Sequence, residues 1–103
     1  MTDIESQLAN PEFDGMSISE AIDYCIEQDP QRPTRFIQAR ARYQDDEQLV
    51  RDYALKPEVT EGLWRMKVAG KLNCTCEAIA MHFDEFDEDV RGAVVAKVQK
   101  LFE

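Results

Sequence analysis

Apolar residues recur along this chain at helical spacing, and the breaks between them carry caps, prolines and turn pairs. Ser17-Ile18-Ser19-Glu20 has the form of a capping box, in which the hydroxyl accepts a backbone N–H and Glu20 reaches back to the cap. Ile18, Ala21, Ile22, Cys25 and Ile26 follow as one stripe. Asp29-Pro30 and then Pro33 close it, because a residue before proline is driven out of the α region. A second stretch runs from Pro33-Thr34 to Leu55, with Phe36, Ile37, Ala41, Tyr43, Leu49, Val50, Tyr53 and Ala54 as its apolar positions. The stripe fails at residues 44–47, so the pattern fits one bent helix or two, with Asp45 and Gln48 as a further N-cap pair.

Pro57 suits the first turn of another helix, and Thr60 is a competing cap. Val59, Leu63 and Met66 form one apolar row and Trp64, Val68 and Leu72 a second. Together they predict a wide apolar face and the central helix of the core. Asn73-Cys74-Thr75 interrupts it before a short helix from Cys76 to Phe83. Asp84 or Asp87 then caps a last helix with Phe86, Val90, Val94, Val98 and Leu101 on one face. Residues 1–15, with sparse Ile4, Leu8 and Phe13 and the turn pairs Asn10-Pro11 and Asp14-Gly15, read as a loosely ordered N-terminal arm. No segment alternates long enough for a strand. The expectation is an all-α, compact bundle of about five helices, with residues 16–103 as the helical core of one domain.

Composition narrows the class. The chain has 103 residues, and 44% of them are hydrophobic, enough to fold. No apolar run approaches the roughly 20 residues of a membrane span, and the N-terminus lacks a secretory signal pattern. Three cysteines, two of them one residue apart, do not make a disulfide scaffold, so a reduced, cytoplasmic setting is expected.

Charge changes the picture more. Against 12 basic residues stand 21 acidic ones, for a net charge of −9, and the excess is not evenly spread. Residues 1–30 carry eight acids and no Lys or Arg, and residues 73–89 carry six acids and no Lys or Arg. The segments between and after them are mildly basic. Such a chain opposes phosphate backbones and favours a basic partner.

Residues 67–83, within a helix pair spanning 60–83, have the spacing of a helix-turn-helix. Ala69 would sit at the helix crossing, Asn73 at the turn, where asparagine tolerates positive φ, and Thr75 at the second N-cap. Yet Thr75 to His82 contains no Arg, Lys, Asn or Gln to address bases, and it carries Glu77 and runs into the acids at 84–89. A scaffold without DNA reading is the expectation.

Other chemistry is thin. Cys25, Cys74, Cys76 and His82 could compose a Cys₃His set, but Cys-x-Cys is the wrong spacing for a zinc knuckle and Cys76 aligns with Ile79 and Ala80 as core. The 84–89 run lacks the alternating ligands and glycine of a calcium loop. Arg35, Arg40 and Arg42 interleave with Phe36 and Tyr43 but share no tight face, and neutralisation by upstream acids is the expected use. With one histidine, no phosphate-binding glycine loop and no nucleophile elbow, neither an enzyme nor a cofactor or metal is expected.

The remaining expectation is a non-enzymatic protein that docks an acidic surface on a basic, nucleic-acid-binding surface of a partner protein, as an inhibitor or regulator. In physical class, not in motif, it resembles small phage-type DNA mimics. Glu20, Asp23, Glu27, Asp84, Glu85, Asp87, Glu88 and Asp89 are the candidate contact residues, with Trp64 or Tyr53 as aromatic anchors if exposed. The alternatives are a helix-turn-helix regulator and an oligomeric assembly subunit joined through the last helix. A homodimer is compatible with all three, and direct binding to nucleic acid or membrane is not expected.

Overall fold

A computed structural model describes residues 3–103. The described residues contain seven α-helices and no strand: α1 Ile4–Leu8, α2 Ile18–Gln28, α3 Thr34–Arg40, α4 Asp46–Leu55, α5 Glu61–Val68, α6 Cys76–His82 and α7 Glu88–Gln99. Short 3₁₀ turns lie at Pro11–Phe13 and Lys100–Phe102. The helical class is as expected; the number of helices is larger, because α1 falls in the expected arm and the 34–55 stretch is two helices.

Local chemistry sets most boundaries. Ser17 and Glu20 form the full capping box of α2. The Asp45, Thr60, Thr75 and Asp87 side chains accept from the backbone N–H groups of Gln48, Leu63, Ala78 and Val90, each closing a helix start. Caps of this kind contribute about 1 kcal/mol each. Helix α5 ends in a Schellman turn: Gly70 takes φ +73°, and Lys71 N–H reaches the Met66 carbonyl at 2.8 Å. The left-handed residue of the 69–75 connection is therefore Gly70, not Asn73, and no non-glycine residue among those described has positive φ.

The hub is α6, against which α1, α2, α4 and α7 all pack. Cys76, Ala78, Ile79 and Ala80 are buried, and the small cysteine and alanine side chains let four neighbours approach. This corrects the expectation that the 59–72 helix is central. Leu63 and Met66 of α5 face the core, whereas Trp64 is 50% and Val68 71% exposed. The helix stops at Val68, so Leu72 lies beyond the turn and the second apolar row is never completed against the core.

The arm is also not loose where it is described. Ile4, Leu8 and Phe13 are buried in the common core, and the Asn10 side-chain amide donates to the Asn73 carbonyl at 2.8 Å. Val90, Val94 and Val98 of α7 are buried, as the spacing predicts, and so are Phe86 before the helix and Leu101 after it.

Polar clamps tie the outer helices on. Arg40 meets Asp23 at 2.6 Å and Asp46 at 2.9 Å, joining α2, α3 and α4, and Ser19 donates its hydroxyl to Asp46. Arg65 of α5 grips Asp29 in a two-pronged contact at 3.1 and 2.8 Å. At the centre, Lys97 Nζ on α7 lies 2.6 Å from Glu77 Oε2 on α6 and donates to the Tyr53 carbonyl at 2.7 Å.

Candidate partner-binding surface

The eight candidate carboxylates have different fates. On α2, Glu20 is committed to the capping box and Asp23 to Arg40, while Glu27 is exposed with no ion pair among the described residues. In the second segment Asp87 caps α7. Asp84 lies 3.7 Å from Arg91 and is fully exposed. Glu85, Glu88 and Asp89 are exposed and make no ion pair among the described residues.

Two guanidinium groups hold this acidic turn by its backbone. Arg51 of α4 donates to the Glu85 carbonyl at 3.2 Å and sits over the Phe86 ring. Arg91 of α7 donates to the Phe83 carbonyl at 3.1 Å. Arg51 also pairs with Glu47 at 3.2 Å, and Arg91 lies 3.7 Å from Asp84, so the turn is held while the carboxylates of Glu85, Glu88 and Asp89 stay displayed. Buried Phe86 anchors it from below.

An N-terminal acid reaches the same corner. Phe13 packs on Phe83 and edge-on against His82, and the His82 ring nitrogen lies 3.3 Å from Asp14. Asp14 thus stands near the start of the 84–89 turn. Helix α2, which carries Glu20, Asp23 and Glu27, packs on α4 and α6. His82 itself is wedged between aromatic rings, in a structural setting.

The alternative surfaces fare differently. Helix α6, the would-be recognition helix, is enclosed by the core and has no free face to enter a groove. The apolar face of α7 is likewise used within the chain. Of the aromatic anchors, Trp64 is half-exposed with Lys67 4.8 Å above its ring, and Tyr53 packs edge-on against Phe36. Of Arg35, Arg40 and Arg42, Arg40 pairs with upstream Asp23 and also with downstream Asp46, and the other two make no ion pair among the described residues.

The cysteines are core. All three are free and buried, and burial pushes the Cys25, Cys74 and Cys76 thiols up from the ordinary value of 9.0, against the opposing pull of Lys71 at Cys74. The described residues contain no cluster of His, Cys, Asp and Glu that could hold a metal ion. No helix among them is long and apolar enough to cross a membrane.

Comparison with known proteins finds no family model, no curated protein and no solved structure that matches this chain.

The residue pair that sequence reasoning missed is Glu77–Lys97. Its signal lay in the helix around Glu77, which is apolar on every side, and in Lys97 falling into the Val90, Val94, Leu101 stripe.

Proposed function

We propose that this chain is a non-enzymatic binding protein that docks its acidic corner, Asp84, Glu85, Glu88 and Asp89 with Asp14 nearby, on a basic surface of a partner protein. The observation that carries the reading is the backbone clamp by Arg51 and Arg91, which fixes the turn and leaves its carboxylates in solvent. A preorganised display loses little side-chain and loop freedom on binding. Lys- and Arg-lined surfaces built for phosphates are its chemical complement, which makes an inhibitor or regulator of a nucleic-acid-binding protein the most specific form of the proposal.

The test is affinity capture from a native lysate at low and high salt, comparing the wild-type chain with an E85K/E88K/D89K variant. Asp87 is left alone because it caps α7. Partners retained at low salt, lost with the variant and displaced by added duplex DNA support the reading. Identical capture by both chains contradicts it.

A further inference from the structure

Beside the acidic corner runs an open cleft of about 890 Å³ between α1, the end of α6 and the outer face of α7. Its floor and walls are mainly apolar, from Leu8, Ala9, Pro11, Met81, Gly92 and Val95. On α7, Glu88, Gly92 and Val95 follow at helical spacing, opposite the buried Val90–Val94–Val98 face.

Two further observations say what fits there. The first is Gly92. A glycine inside a helix costs stability relative to alanine, and here no left-handed backbone requires it. No neighbouring atom comes within 4 Å of where its Cβ would be, so its own packing does not require it either. The missing side chain keeps the cleft floor open. The second is charge. The basic groups that line the cleft already face acids, the Arg91 guanidinium Asp84 and the His82 ring Asp14. Glu5 and Glu88 line it as well and have no counter-ion among the described residues. The cleft is therefore an apolar seat with unneutralised carboxylates at its edge.

We infer that this cleft receives a basic amphipathic helix of the partner protein, seating an apolar side chain over Gly92 with lysine or arginine directed to Glu5 and Glu88. The inference rests on the proposed acidic docking function and adds the apolar anchor that charge alone lacks. Helix-in-groove recognition supplies the mode, with anchors at helical spacing along one face. A nucleic acid is disfavoured by the same two carboxylates.

The probe is a fluorescein-labelled peptide of about 18 residues with leucine and lysine in helical period. Its comparison is a scrambled peptide of the same composition. Anisotropy titrations at low salt would be run on the wild-type chain and on G92Q and E5K/E88K variants, with thermal melts to check folding. The expected result is tighter binding of the amphipathic peptide than of the scrambled one. Affinity should fall about tenfold or more in G92Q, whose side chain fills the floor without lowering Tm, and fall also in E5K/E88K. Equal affinity of wild type and G92Q overturns the cleft. If both peptides then still bind the wild type in a salt-dependent way, the acidic corner survives as the docking surface. If neither peptide binds the wild type, the cleft and the broader reading fall together.

Discussion

Lys97 on α7 and Glu77 on α6 form an ion pair inside the core, 2.6 Å apart, with 2% and 9% of their side chains exposed. The lysine also satisfies the Tyr53 carbonyl at the end of α4, so three helices converge on one ammonium group. Removing one partner leaves an uncompensated buried charge. K97M should therefore destabilise the fold by about 3–5 kcal/mol, a large share of the roughly 5–15 kcal/mol that domains have. Replacing both, as in E77L/K97M, should recover most of that loss. Urea midpoints of the three proteins decide it, and a K97M midpoint equal to wild type would show the pair to be solvated.

Acid should loosen the outer clamps first. Hydrogen bonds from Arg40 hold the Asp46 carboxyl below its ordinary 3.8, against burial, with help from Ser19. Burial works to raise the Asp29 carboxyl, but the Arg65 hydrogen bonds, the Gln31 backbone N–H and the charges of Arg65 and Lys71 together outweigh it and the net direction is down. Both groups have folded values below unfolded ones. Their contribution is thus fully present above about pH 4 and is lost as pH falls through the folded values. Stability measured by urea unfolding should drop below that pH, and the drop should be shallower in R40M, which already lacks the clamp. An R40M curve parallel to wild type would contradict this.

The thiols should be silent in the folded protein. With Cys25, Cys74 and Cys76 buried and their acidities weakened by burial, labelling by an aromatic disulfide should be slow and limited by opening of the fold. All three should react at once in denaturant. Rapid labelling of even one thiol under native conditions would place it at the surface.

Trp64 is the single tryptophan and reports directly on the orientation of α5. Half-exposed, it should emit at long wavelength and be readily quenched by acrylamide. W64S should change stability by only about 0.5 kcal/mol, whereas L63A, one residue away on the buried face, should cost about 2–5 kcal/mol. A blue-shifted, protected tryptophan would restore the row read from the sequence.

That row shows where the sequence stops being legible. Caps at Ser17, Asp45, Thr60, Thr75 and Asp87 are local, since a side chain meets a backbone group three residues on, and spacing alone reveals them. The face that α5 buries is not local. It depends on Gly70 ending the helix early and on which helices lie beneath. The role of α6 as hub was missed for a related reason. A seven-residue helix with Cys76, Ala78, Ile79, Ala80 and Met81 has no polar face, and the partner of its one carboxylate, Glu77, lies on another helix. At the candidate surface, the acidic run was plain in the sequence. Its fixation by Arg51 and Arg91 was not, because carbonyl acceptors carry no residue identity.

The central claim is that the clamped acidic turn, and not the acids of α2, makes the contact. It is tested most directly by titrating a captured partner with wild type, a D84N/E85Q/E88Q/D89N variant and an E20Q/E27Q variant across a salt series. The account predicts that the first variant loses most of the affinity and flattens the salt dependence, while the second binds nearly as wild type. Undiminished, equally salt-dependent binding by the turn variant would contradict it.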